Sequence, residues 1–354
     1  MTGSLPEFPA TALLAAAFTH LSRLSDDTAL FEHARYATPR REHGYCLDDV
    51  ARGLVVLCRD TDPDRYSSTH NAENTSLLER YLAFTTHAQH PDGRFHNRMA
   101  VDRRWQDEPG LDDCWGRALW GLGTAAARSP LPWVRENADH AFAVSARPRS
   151  RWPRAMAFAG LGAAEILAEH PTDQAAVELL ADAAKLITRC EPGADWPWPE
   201  QRLAYANAVL PELLIAAGQH LYDEEARDYG LELLDWLLER ETRAGHLSPT
   251  GSRGWSAGEP RPCFDQQPIE VAALADACAR AHAVSGDERW LRGVDRAVGW
   301  FLGENDVGVA LHDPHTGGGH DGLLAEGRNA NQGAESTLAL ISTLQQAVAC
   351  GRAR

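Results

Sequence analysis

Apolar and polar positions along the chain fall into two alternating kinds of helical stretch. The first kind is apolar on most faces. CWGRALWGLGTAAA (114–127), MAFAGLGAAEILA (156–168) and QGAESTLALISTL (332–344) are rich in Ala, Leu and Gly and nearly free of charge, as a helix covered on both sides should be. Six such stretches are predicted, at 48–60, 112–128, 153–169, 203–219, 266–285 and 332–349. Between them lie six amphipathic stretches, at 10–24, 73–89, 131–145, 173–190, 223–241 and 288–304. In EEARDYGLELLDWLLERE (224–241), Leu231, Leu234 and Leu238 with Tyr229, Leu233, Trp236 and Leu237 leave one side wet.

The two kinds alternate strictly, recurring roughly every 40 to 65 residues, and strand-like alternation is almost absent. A two-layer closed ring of helices requires this order. An open solenoid would need polar capping repeats, yet the last stretch, 332–349, is as apolar as the interior ones. The expectation is therefore an all-α chain folded as an (α/α)6 toroid, six helical hairpins in an inner and an outer ring. No Pro/Ser/Gly tract or charge run divides it, so residues 1–354 read as one domain.

Composition narrows the partners. With 34 basic and 50 acidic residues the formal charge is −16, which repels nucleic acid and anionic membranes. No apolar run is long enough to span a bilayer, and the patch from Leu13 to Phe18 lacks a basic n-region, so the expected location is cytoplasmic. The seven cysteines form no CxxC pair, and neither a metal site nor a cofactor is expected. HExxH, Walker A and GxSxG signatures are missing.

In such a ring the loops entering the inner helices converge on a central funnel. The six entrances read HGYCLDD (43–49), GLDDCW (110–115), RWPRAM (151–156), WPWPEQRLAYAN (196–207), FDQQPIE (264–270) and NANQGAE (329–335). Asp48 and Asp112 are candidates for binding substrate, with an equally ordinary use as helix caps. Asp49, Asp113, Glu270 and Glu335 fit that use less well, because they sit inside apolar helices, where a charge must be paired or functional. With Glu200 they form the candidate catalytic set, since glycoside cleavage needs one carboxyl held protonated and another ionised.

Aromatic residues at the same end, Tyr45, Trp105, Trp115, Trp152, Trp196, Trp198 and Trp255, offer stacking faces for sugars or ordinary core packing. Arg41, His43, Gln266, Gln267, His320, Asp321, Asn329, Asn331 and Gln332 supply donors and acceptors suited to hydroxyls.

The stretches HARYATPRREHGYCLDDVARGL (33–54), WPWPEQRLAYANAVLPELL (196–214), FDQQPIEVAALADAC (264–278) and HDPHTGGGHDGLLAEGRNANQGAESTLAL (312–340) resemble a bacterial (α/α)6-toroid, glycosidase-like family found fused or adjacent to glycosyltransferases and mannoside-active enzymes. The resemblance implies a carbohydrate-active role and association with a glycosyltransferase. It also has departures. Where the family reads DDNARAL this chain has Val50 in the Asn place, and where it reads YDNAR this chain has Ala206 after Tyr205, so the resemblance implies altered or weakened activity if the missing Asp is essential.

The expected activity is hydrolysis of a neutral oligosaccharide, mannosides included, with inversion by analogy with other toroid glycosidases. An epimerase or isomerase would instead need two facing histidines, His43 and His320. A third reading is a non-catalytic sugar-binding partner of a glycosyltransferase. A uronate lyase would need a basic funnel, whereas acidic residues outnumber Arg35, Arg40, Arg41, Arg52, Arg151 and Arg154 around the ring.

Overall fold

A computed structural model of the chain describes residues 10–59, 65, 67–190 and 195–352. Twelve helices account for most of them: α1 (Ala10–Arg23), α2 (Leu47–Arg59), α3 (Ser68–Ala88), α4 (Asp113–Arg128), α5 (Pro132–Ser145), α6 (Pro153–Glu169), α7 (Gln174–Lys185), α8 (Val209–His220), α9 (Glu224–Arg240), α10 (Pro268–Ser285), α11 (Arg289–Leu302) and α12 (Ala334–Ala349). Each corresponds to one predicted stretch. The stretch predicted at 48–60 ends at a position outside the described residues.

Local chemistry sets many of the boundaries. Ser67, Asp173 and Asp223 accept hydrogen bonds from the backbone N–H of His70, Ala176 and Ala226 at the starts of α3, α7 and α9. Pro132, Pro153 and Pro268 open α5, α6 and α10, where a missing N–H costs nothing. One boundary differs: the stretch expected to begin at 203 becomes helical only at Val209. Arg202 and Leu203 pair instead with Trp255 and Ser256, and Ala206 adopts a left-handed φ of 43°.

The even-numbered helices form the inner ring. α2 packs on α4, α4 on α6, and so on round to α12, which returns to α2 and closes the circle. Each odd-numbered helix from α3 to α11 packs on the outside of its preceding inner helix, while α1 lies against α12 and α3. Small residues allow the inner helices to approach closely. A Cβ on Gly123 of α4 would stand 2.2 Å from the carbonyl oxygen of Gly162 on α6, inside any permitted contact.

The core fills the space between the rings. Leu54, Leu119, Leu161, Leu213, Ala275 and Leu340 from the six inner helices have no solvent exposure. The connections from outer to inner helices all emerge at one end of the ring, where several close into two-residue antiparallel pairs, such as Tyr45–Cys46 with Arg98–Met99. These loops build the funnel. Among the described residues no helix is long and apolar enough to cross a membrane.

Candidate functional site

The inner-helix N-termini and their loops enclose two adjoining chambers. The narrow one, about 330 Å³, is bordered by Glu32, His33, Asp49, Arg52, Arg117, Gln267, Asp321 and Glu335. The wide one, about 520 Å³, is bordered by Asn97, Asp107, Asp112, Asp113, Trp152, Arg154, Glu200 and Tyr205. Asp48 and Arg98 border both.

Arg52 organises the narrow chamber. It stands three residues after Asp49, one turn along the same face of α2, and its Nη2 donates to Asp49 Oδ1 at 2.6 Å and to Glu335 Oε2 at 3.0 Å. The two carboxylates respond oppositely. Burial pushes Asp49, 3% exposed, up to about 7, despite the attraction of Arg52. Burial acts on Glu335 in the same sense, but Arg52 and Arg117 outweigh it and hold the group below the usual range. The Glu335 side chain is 42% exposed. Near neutral pH one carboxyl can therefore carry a proton beside another that is ionised, which is the condition for paired acid and base chemistry.

The wide chamber has an aromatic rim and a polar floor. Asp112 occupies the N-cap position of α4 without capping it; its carboxylate accepts Trp152 Nε1 at 2.9 Å instead. Tyr205 donates its hydroxyl to Asp113 Oδ2, and Arg154 Nη1 donates to Glu200 Oε1 at 2.6 Å. Trp152 and Tyr205, 46% and 40% exposed, both border this chamber, each with a guanidinium (Arg151, Arg154) over its ring. Glu200 Oε2 is buried without a hydrogen-bond partner among the described residues, a state that a ligand hydroxyl would relieve, whereas Asp48 Oδ1 is ion-paired with Arg117 Nη1 at 3.5 Å.

Other sequence candidates lie elsewhere. Tyr45 is buried, donates to Asp26 and stacks on Phe31. Trp115 is buried with Nε1 on the Ser145 carbonyl, and Trp198 is buried against Trp236. None of these three presents a face to either chamber, because each fills the packing between a loop and a helix.

Gln266 is fully buried and joins Asp306, the Cys263 carbonyl and Trp300. Gln332 ties Asp313 to Thr316. Asn331 accepts the Tyr36 N–H beside a separate surface cleft, and Arg41 lies exposed over Phe31. Asp321 does border the narrow chamber while accepting bonds from Gly333 N and Ser336 Oγ. Glu270 is buried behind the wide chamber on the Ala206 and Asn207 backbone.

His320 is buried, with Nδ1 on the Asn329 carbonyl, and borders neither chamber. His43 meets His33 edge-on instead, with ring centroids 4.9 Å apart.

No family model matches the chain, nor does any curated protein sequence. Solved structures do match it in shape. A sugar epimerase from a ruminal bacterium superposes with a TM-score of 0.70 at 11% identity, covering 96% of this chain and 99% of the other. An α-mannanase from Bacteroides thetaiotaomicron gives 0.66 at 11% identity over 98% and 97% of the two chains. A D-mannose isomerase gives 0.67 at 10% identity over 96% and 97%.

The chain is an (α/α)6 toroid. At these identities the shared property is the fold, and the toroid's chemistry has to be argued from its own funnel.

Sequence reasoning did not single out Glu32, His33, Arg98 or Arg117, which line the toroid's narrow chamber. Arg52 and Arg117 had a legible signal, since they follow Asp49 and Asp113 by one helical turn. Glu32 and His33 reach the site through a loop that carries no helical period. Glu32, Cys46 and Asp49 converge closely enough to suggest metal ligation. The donor set does not suit a cation: Arg98 already pairs with Glu32 and Arg52 with Asp49, and burial keeps the Cys46 thiol protonated.

Proposed function

We propose that the protein is a glycoside hydrolase acting on a neutral oligosaccharide, with mannosides among its substrates, and that Asp49 and Glu335 are its working pair. The observation that carries this reading is the single guanidinium nitrogen of Arg52 holding two carboxylates whose proton affinities are displaced in opposite directions. Asp49 protonates the glycosidic oxygen as the bond to the anomeric carbon breaks. Glu335 attacks that carbon from the other face. Water then displaces Glu335, giving its proton back to Asp49.

The spacing supports retention in place of the inversion expected from fold analogy. The two carboxylate oxygens can be no further apart than the two Arg52 bonds laid end to end, nearer the roughly 5–5.5 Å of retaining enzymes than the roughly 6.5–9.5 Å of inverting ones. A neutral substrate follows from charge. Arg52, Arg98, Arg117 and Arg154, which border the chambers, each face a carboxylate within 4 Å, which disfavours an anionic sugar there.

The test is a panel of neutral oligosaccharides, mannosides and glucosides included, followed for new reducing ends and for anomeric configuration by NMR. New reducing ends with retained configuration, lost in Glu335→Gln and in Asp49→Asn, are expected. Inverted product would remove this pair from its roles. Epimerised sugar without cleavage would favour a second reading, a sugar epimerase, for which the half-exposed His33 on the chamber wall beside His43 is the supporting observation. Binding without turnover would favour a sugar-binding module, with the glycosyltransferase as its proposed partner.

A further inference from the structure

Ala206 holds a left-handed backbone, φ 43°, that costs an L residue on the order of 1–2 kcal/mol. Outliers of this kind persist where the surroundings over-determine them. Here they do so from two sides. The buried carboxylate of Glu270, in the first turn of α10, accepts the N–H of Ala206 and, at 3.1 and 3.0 Å, the N–H and side-chain Nδ2 of Asn207. From α6, buried Arg154 donates to the Tyr205 carbonyl and to Asn207 Oδ1 at 3.1 Å, with its guanidinium 5.0 Å from the centre of the Tyr205 ring.

What this apparatus presents is a partly exposed side chain, Tyr205, standing in the wide chamber with its hydroxyl on Asp113 and with Trp152 on the same rim. The chamber adjoins the narrow one across Asp48 and Arg98. A second sugar unit is the ligand that such a neighbouring space would take: a ring face for the aromatic wall and hydroxyls for Asp113 and Glu200.

We propose that Tyr205 is a specificity-determining residue that binds the sugar unit beyond the scissile bond, and that Glu270 is a positioning residue acting through it. The proposal rests on the glycosidase reading of the narrow chamber. It gives Glu270 a role without contact to the reacting atoms. A Glu270 that merely stabilised the fold would affect long and short ligands alike.

The experiment is calorimetric titration of a monosaccharide and of the matching tri- and tetrasaccharides into the full-length Glu335→Gln protein, which binds without turnover. Tyr205→Ala is expected to weaken oligosaccharide binding about tenfold while leaving the monosaccharide unchanged. Glu270→Gln should produce the same length-selective loss, and the double variant should be no worse than Tyr205→Ala. Tyr205→Phe, which keeps the ring but loses the bond to Asp113, should give a smaller selective loss and keeps the role of Tyr205 testable if Glu270→Gln does not fold. Equal losses for short and long ligands, or additive losses in the double variant, overturn the proposal. Oligosaccharide binding that all Tyr205 variants leave intact sinks it alone, whereas failure of every sugar to bind the parent sinks the glycosidase reading with it.

Discussion

Replacing Asp49 by Asn should make the protein less sensitive to alkaline pH, by an amount the structure sets. Asp49 is 3% exposed, and burial raises its carboxyl from an ordinary 3.8 to about 7. In the unfolded chain the group ionises near its ordinary value, so from there up to pH 7 the unfolded state binds fewer protons than the folded one. A raised folded-state value therefore contributes stability that is complete below pH 4 and lost as pH rises through 7. Over that whole window the loss is about 4 kcal/mol, at about 1.4 kcal/mol per pH unit.

Asn keeps an oxygen for Arg52 and has no proton to lose. Urea unfolding at pH 5, 6, 7 and 8 should show Asp49→Asn gaining on the parent by roughly 1 kcal/mol per pH unit up to 7, with the gain flattening above it. Glu270 and Glu212 are also raised to about 7 by burial, but they occur in both proteins and cancel in the difference. Stability curves that run parallel across the series would refute the reasoning.

Other outcomes follow from the same geometry. Arg52→Met leaves Asp49 and Glu335 facing each other without their shared cation, and should lower the urea midpoint by the equivalent of about 3–5 kcal/mol while moving the pH optimum of sugar turnover upward. Gly123→Ala would set a methyl 2.2 Å from the Gly162 carbonyl and force α4 from α6, costing roughly 1–3 kcal/mol in a thermal or urea melt. Trp115→Phe removes the donor to the Ser145 carbonyl, so it should cost about 1–3 kcal/mol of stability while sugar affinity, measured by calorimetry, stays unchanged.

The helices were legible because their physics is local. A two-sided apolar stretch has to be covered on both sides, and α4 and α6 say so in their own sequences. The carboxylates of the narrow chamber were legible for a related reason: Asp49 and Glu335 are charges in helices that are otherwise mostly apolar and buried. The same rule admits Glu270, and sequence cannot tell whether a buried charge meets a ligand or its own backbone. The tryptophans exposed the other limit. Trp115 and Trp152 stand in similar entrance motifs, yet one points into the packing beneath α5 and the other onto the rim. The difference is a matter of direction, which neither motif encodes.

That closure has a consequence for the order of synthesis. Arg52 bonds to Asp49 within its own helix, but its second carboxylate arrives 283 residues later, on the last helix of the ring. As the chain leaves the ribosome, every inner helix up to α10 can pack on its predecessor while the funnel still lacks one wall. The proposed working pair is thus incomplete in each partial product and is assembled only when the circle is complete.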